Sequence, residues 1–324
     1  MKKILLSGVK PTGRPHIGNY FGAMKQFVDM QNDYDNHIFI PDLHAITSMT
    51  NGAELKQSVI DLILDYLAIG LDPKKTILFK QSDIPEVTEL AWILGCLTTM
   101  PYLMRAHAFK DAEAKNKDIN VGVFNYPVLM AADILLSDAD IVPVGRDQKQ
   151  HVEIARDIAE KFNRTYGETF KLPSEKIIEA VATVPGIDGQ KMSKSYKNTI
   201  PLFATDDEIK TAVMKIPTDS AGIDDAKDPD KSIIYQIHSL ILDDEGKMAL
   251  REKFTKGGFG YKALKDALIT DMIAFIAPLR EKRAELAKDA NVAIAVLKDG
   301  RTKIRSKVEA KINEVREKVG IKFY

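Results

Sequence analysis

The chain reads as an α/β protein: a Rossmann-like parallel-sheet domain carrying a helical insertion, followed by a smaller all-helical C-terminal domain. Three observations predict this. Short apolar runs at 4–6, 37–40, 76–79 and 141–145 alternate with longer amphipathic stretches, the pattern of parallel strands joined by right-handed helical crossovers and covered on both faces. Between the third and fourth runs, residues 82–140 are mainly helical in pattern. Beyond Ser195 the strands stop, and apolar residues recur at helical spacing.

Taken in order, Ile4-Leu5-Leu6 is a buried strand that ends at Ser7-Gly8, and residues 18–30 place Phe21, Met24, Phe27 and Val28 on one face of a helix. Strand 37–40 is followed by an amphipathic helix over 52–71 with Leu55, Val59, Leu62, Ile63 and Tyr66 on one side. Strand 76–79 leads into the insertion. Strand 141–145 then runs into a helix over 150–162, so the sheet resumes. In the C-terminal part, 206–214, 231–242, 260–287 and 303–319 read as helices, which divides the chain into domains 1–199 and 200–324. The polar stretch 110–120 is the natural place for a mobile loop.

With 45% hydrophobic and 28% charged residues in 324, the chain can bury a sizeable core, which excludes disorder, a collagen-like fibre and a disulfide-stapled scaffold. Forty-six basic residues balance 46 acidic ones, so a nucleic-acid contact has to come from a local patch. Residues 298–322 offer one, with nine Lys or Arg against four acids; a solvated amphipathic helix is the alternative there. The one cysteine, Cys96, excludes an internal disulfide, and the six histidines do not gather with it at zinc-ligand spacing. No metal site is expected, and a cytoplasmic, reducing compartment fits. Neither a signal peptide nor a membrane span is expected, since even 58–71 is broken by Asp61, Asp65 and Gly70.

Two segments carry chemistry. The loop from Ser7 to Pro15, rich in Gly and Pro, leads into His16-Ile17-Gly18-Asn19 at a helix start beyond the first strand, where open α/β sheets bind ligands. Glycines admit a polyphosphate close to the backbone, and the helix N-terminus adds positive potential. Taken alone, it is equally a plain strand-to-helix connection. The second segment, 188–195, sets Lys191 and Lys194 beside Ser193 and Ser195 in a polar loop, where lysines can neutralise charge on a phosphate or simply remain solvated.

Together His16-Ile17-Gly18-Asn19 and Lys191-Met192-Ser193-Lys194-Ser195 resemble the two signatures of class I aminoacyl-tRNA synthetases, the first ending in Asn19 where His is usual. Residues 126–136 and 142–151 look like segments typical of the bacterial tryptophan-specific members of that family. The resemblance runs over 3–164 and again through Ser195. It implies activation of tryptophan by ATP, supplied with Mg²⁺, and transfer to tRNA(Trp). Lys191, Ser193, Lys194 and His16 would be catalytic. ATP would be held by Lys10, Pro11, Thr12, Gly18, Asn19, Gly145, Arg146, Asp147, Val184, Met192 and Ser195 together with the two loop lysines and Ser193. Asp147 is alternatively a helix N-cap. Two departures leave the number of cationic phosphate contacts open: Lys10 stands where Gln is frequent, and Ala112 where a phosphate-binding Lys is frequent, with Lys10, Lys115 or Lys117 available to compensate.

Asp133 lies on an otherwise apolar helical stretch, and a buried carboxylate needs a donor. An indole N–H supplies one, and so would a tyrosine hydroxyl or a basic side chain. The resemblance favours indole, with Met130, His44, Leu6, Val142, Val144 and Gln148 completing a tryptophan site. A tyrosine-specific relative, a small nucleotidyltransferase sharing only the His-x-Gly signature, and a non-catalytic RNA-binding module are the alternatives. The insertion is expected to form a homodimer interface, because Leu90, Trp92, Ile93, Leu94, Leu97, Met100 and Leu103 are more apolar residues than one helix face needs. Residues 200–324 are expected to bind the tRNA anticodon region through the basic stretch 298–322.

Overall fold

The computed structural model describes residues 2–114, 119–145, 149–177 and 184–323. Lys115, Lys117, Arg146, Asp147 and Gln148, named above, lie outside them. Five strands form one parallel sheet in the order β3-β2-β1-β4-β5: β1 Ile4–Gly8, β2 Asp35–Ile40, β3 Thr76–Lys80, β4 Ile141–Val144 and β5 Ser174–Ile177. Register is set by pairs such as Leu6↔His37, Leu5↔Ile141 and Ile38↔Leu78. Successive side chains point to opposite faces. Leu5, Ile38, Ile40 and Leu78 therefore enter one core, while Leu6, Phe39, Phe79, Val142 and Val144 enter the other.

The helix expected over 18–30 is present in three pieces: α1 Ile17–Asn19, a π-helical turn Tyr20–Met24 and α2 Lys25–Met30. A short α3, Asp42–Ile46, and the amphipathic α4, Gly52–Ala68, follow β2. The insertion holds α5 Glu86–Leu97, α6 Met100–Met104, α7 His107–Ala114 and α8 Val121–Leu136. Residues 110–114, expected as part of a loop, belong to α7. After β4 comes α9, Lys149–Tyr166, whose buried Val152, Ile154, Ala155, Ile158, Ala159 and Phe162 pack on the second core.

The C-terminal helices are α10 Asp206–Met214, α11 Ile233–His238, α12 Asp244–Lys256, α13 Tyr261–Leu286 and α14 Asn291–Val319. α10 opens on a capping box in which Thr205 and Glu208 satisfy each other's backbone N–H. The last helix does not stay with its neighbours. Its Ala293 and Leu297 lie in the first core, and Ile304, Val308, Ile312 and Val315 in the second. α14 thus runs past the edge strand β3 and covers it, which removes an exposed sheet edge. Gly300 makes the crossing possible, because a Cβ there would stand 1.7 Å from the Leu78 carbonyl oxygen.

This placement corrects the expectation that 298–322 presents a basic face. Arg305 pairs with Glu86 at 2.5 Å and Arg316 with Glu89 at 2.6 Å, both acids on α5. Lys307 faces Asp35 at 3.4 Å and Lys311 faces Asp138 at 3.2 Å. These cations hold α14 against the sheet domain. Lys298, Arg301 and Lys318 remain exposed without a carboxylate partner among the described residues.

Candidate active site

In the sheet order, β1 pairs with β2 on one side and β4 on the other, so a topological switch point lies between β1 and β4. Crevices beyond the carboxyl ends of such strands bind ligands. Gly8 ends β1 beneath Phe39, whose carbonyl oxygen would be 2.4 Å from any added Cβ. The chain then passes through Lys10 and Pro11 to Gly13, whose φ of +81° is a conformation glycine adopts readily.

His16 is the N-cap of α1. Its Nδ1 accepts from Asn19 N at 3.3 Å while Asn19 Oδ1 accepts from His16 N at 3.1 Å. Burial, reinforced by the positive charge of Lys194, holds the imidazole down to about 4. The ring is therefore neutral at pH 7, and an accepting Nδ1 leaves the proton on Nε2. His16 can serve as a neutral donor, not as a cation. Gly18 is needed beside it, since a Cβ would fall 2.8 Å from His16 Nδ1 and 3.3 Å from Met192 Cβ.

The lysine loop is folded against this turn although some 175 residues separate the two in sequence. Ile17 N donates to Ile200 O at 3.0 Å, and His16 bridges Pro201. Met192 is buried, with its N–H on Val184 O at 3.0 Å. Ser193 caps the short 3-10 turn Lys194–Tyr196. Lys194 Nζ donates to Thr12 O at 2.8 Å and Gly13 O at 3.0 Å, and burial lowers its pKa against the opposing charge of Asp65. Lys191 and Ser195 are exposed at the loop surface. Asn198, which sequence reasoning missed, organises the loop. It is buried, accepts from Ser193 N at 2.8 Å, and donates to Asp188 at 2.8 Å and Lys191 O at 3.1 Å.

A cavity of about 540 Å³ opens from the switch point, lined by Leu6, Gly8, Lys10, His44, Tyr126, Met130, Asp133, Val142, Val144 and Gly145. This volume suits a small organic ligand. Lys10 projects into it and lies 3.5 Å from Thr47 Oγ1, its pKa lowered by burial. Asp133, on α8, is the buried acid in its wall. Burial raises its pKa, and hydrogen bonds from His44 and Gln81 oppose the rise. His44 Nε2 donates to Oδ2 at 3.1 Å, so the donor that the carboxylate demands is already supplied in part by protein. Gln81, at 1% exposure, is the other donor and was not singled out from the sequence. Tyr126 meets the His44 ring edge-on, and its hydroxyl is hydrogen-bonded with His151 Nε2 at 2.9 Å.

The structure brings together the glycine-rich turn, the lysine loop, Leu6, Val142, Val144, Gly145, His44, Met130 and Asp133. Arg146, Asp147 and Gln148 lie outside the described residues, and Ala112 falls within α7.

The glycine-rich turn meets the lysine loop at the carboxyl end of the sheet, beside a cavity that opens from the switch point, an arrangement that points to the class I synthetases. The family model for class I tRNA synthetases (W and Y) matches residues 2–277, and the chain belongs to that family. It is 49% identical to the tryptophan–tRNA ligase of Fusobacterium nucleatum over 98% of this chain and 97% of that protein. With the ligase of Rhodopirellula baltica it shares 46% identity over 98% and 99% of the two chains. The crystal structure of tryptophanyl-tRNA synthetase from Campylobacter jejuni, complexed with ADP and tryptophan, superposes with a TM-score of 0.91 at 45% identity, covering 98% of this chain and 99% of that one.

Proposed function

We infer that the chain is a tryptophan–tRNA ligase: it activates L-tryptophan with ATP to tryptophanyl-adenylate and pyrophosphate, then passes the tryptophanyl group to tRNA(Trp). The observation that carries this reading is a buried carboxylate, Asp133, in an otherwise largely apolar cavity that opens beside Gly8 and Lys10 at the start of the glycine-rich turn. The indole N–H is donor-only and matches such an acceptor, whereas phenylalanine would leave the acid short of a donor. The high identity to tryptophan–tRNA ligases over nearly the whole of both chains supports it over a tyrosine-specific enzyme, a nucleotidyltransferase or an RNA-binding module.

In this reading the tryptophan carboxylate oxygen attacks the α-phosphorus of ATP, which enters as its Mg²⁺ complex, and the bond to pyrophosphate breaks. The protein's work is to position groups and stabilise charge. His16 donates from Nε2 to a phosphate oxygen, and Gly18, without a side chain, lets the phosphates come close to the turn. Lys10, Pro11 and Thr12 line their approach. Lys194 transfers its hydrogen bonds from Thr12 O and Gly13 O to the pyrophosphate as charge develops, with Lys191, Ser193, Met192, Ser195 and Val184 forming the loop that carries it. Gly145, Arg146 and Asp147 hold the ribose side, and Gln148 the amino-acid carboxylate. Met130, His44, Leu6, Val142 and Val144 enclose the indole.

Homodimerisation is part of the proposal. Trp92 is 77% exposed, Met100 66% and Met104 46%, while Leu90, Leu94 and Leu103 are buried, so the insertion turns an apolar face outward. Residues 200–324 are proposed to contact the anticodon region of tRNA, with Lys298, Arg301 and Lys318 as cations of the final helix still open to phosphate. A cytoplasmic location is proposed; no helix among the described residues is long and apolar enough to cross a membrane. Charging assays test the function: labelled tryptophan should become acid-precipitable on tRNA(Trp) only when ATP is present. Charging of tRNA(Tyr) with tyrosine under the same conditions would contradict it.

A further inference from the structure

Gln81 opens the 3-10 turn Gln81–Asp83 directly after the edge strand β3. Its polar atoms are engaged on both sides. Oε1 accepts from Leu43 N at 3.1 Å and His44 N at 3.2 Å, and Nε2 lies 3.0 Å from Asp133 Oδ1 and 2.9 Å from Oδ2. The partners fix which way the amide faces, because backbone N–H groups only donate and an ionised carboxylate only accepts. One side chain thus ties the backbone of α3, which carries His44, to the carboxylate on α8.

The hydrogen bonds are unequal at the two carboxylate oxygens. Oδ2 is approached by both Gln81 and His44, Oδ1 by Gln81 alone. A carboxylate oxygen accepts about two hydrogen bonds, so Oδ1 retains an acceptor position. Behind the pair, Ile84, Val87, Leu136 and Val308 leave a space of about 10 Å³, at the lower limit of what one water occupies. Solvent cannot readily replace the amide there.

We propose that Gln81 is a positioning residue for tryptophan selection: its amide holds the Asp133 carboxylate at the angle that presents Oδ1 to the indole N–H. The proposal deepens the functional reading above and rests on it. The charged and titratable groups around Asp133 are His44 and Asp42 on α3, Tyr126 on its own helix with His151 behind, and Lys10 beyond β1; α14 presents the apolar Val308. Removing the amide takes away a donor that favours the ionised form. Replacing it by a carboxyl group sets two acids against each other, which then share a proton.

Two variants of the full-length chain test this through tryptophan-dependent ATP–pyrophosphate exchange between pH 5.5 and 8, with thermal unfolding as the folding control. Gln81→Leu should raise KM for tryptophan about tenfold or more while KM for ATP and kcat stay within about twofold. Its KM should rise further as pH falls, because Asp133 protonates. Gln81→Glu should show the opposite slope, with KM for tryptophan highest at pH 8 and improving toward pH 5.5 as the shared proton restores a donor. A purely structural role would not give slopes of opposite sign. A tryptophan KM within twofold of the parent in Gln81→Leu would overturn the proposal, as would a fall in stability of both variants without the inverted pH dependence. Absence of tryptophan-dependent exchange in the parent chain would overturn the functional reading and the proposal together.

Discussion

Substituting Gly300 by Ala tests whether α14 is built into the sheet domain. A free helical surface would welcome the change, since Ala is favoured over Gly by about 1 kcal/mol within a helix. Here the added Cβ would lie 1.7 Å from Leu78 O and 2.5 Å from Leu78 C, both backbone atoms of a paired strand. Ordinary contact begins near 3.4 Å, so the helix has to retreat by roughly 1.5 Å. That shift opens gaps beside Leu297, Ile304 and Val308, none more than 8% exposed. Overpacking and lost contact together should cost about 3 kcal/mol, net of the helix preference. For a chain of this size the melting temperature should fall by roughly 4–5 °C, measured by circular dichroism. Val308 also backs the space behind Asp133, so KM for tryptophan should rise more than KM for ATP. An unchanged or raised melting temperature would refute this packing.

Lys194→Ala should lower the rate of adenylate formation by about 100-fold or more in single-turnover experiments while ATP affinity shifts far less, because the lysine leaves the Thr12 and Gly13 carbonyls for charge that builds during reaction. Near-normal rates would rule that role out. Asp133→Asn exchanges a charge-assisted acceptor for a neutral one, worth about 1–2 kcal/mol, so kcat/KM for tryptophan should fall by roughly tenfold or more. Thermal stability should hold or rise at pH 7: burial raises the native pKa of Asp133, so ionising it costs folding energy as pH rises through that value. The same raised pKa should weaken tryptophan binding as pH falls, earlier than an ordinary carboxylate would, and this acid limb should vanish in the Asn variant. Trp92→Asp should convert a sedimenting dimer to monomer at micromolar concentration, and an unaltered sedimentation profile would place any interface elsewhere.

Strands β1 to β4 were legible because each is a short apolar run buried on both faces. β5 was not. Its Ser174-Glu175-Lys176-Ile177 lies at the sheet edge with alternating exposure, so little hydrophobic signal is required of it. α12 was missed because only Leu250 and Phe254 are buried along its polar length. α14 begins at Asn291, well before the expected 303, because Lys298, Asp299 and Gly300 obscure the helical period where the helix crosses the strand edge. The basic count over 298–322 was read correctly and its direction was not, since the paired acids Glu86, Glu89, Asp35 and Asp138 lie far away in sequence. At the site, the two signature loops and Asp133 carry recognisable residue patterns. Gln81 and Asn198 act only through neighbours that the fold supplies, and nothing in their local sequence marks them.

The same tertiary logic sets the electrostatics. Arg283 on α13 holds Asp65 at 2.8 Å and Asp61 at 2.7 Å on α4, joining the C-terminal helices to the sheet domain close to Lys194. Burial nevertheless raises Asp65 to about 6, ahead of the opposing pull of Arg283. Arg14 reaches from the glycine-rich turn to Glu208 on α10 at 2.8 Å and to Phe203 O at 2.7 Å. The glycine-rich turn is therefore braced by residues beyond 200.

The most direct measurement is ATP–pyrophosphate exchange by the purified chain against a panel of amino acids. L-Tryptophan should support exchange; phenylalanine should be disfavoured by roughly 1,000-fold or more in kcat/KM, as expected of a site built around a buried acceptor, and tyrosine should support far less exchange than tryptophan because the cavity is proposed to enclose an indole. Exchange driven by tyrosine as efficiently as by tryptophan, or by neither, would contradict the assignment of Asp133 as the indole acceptor.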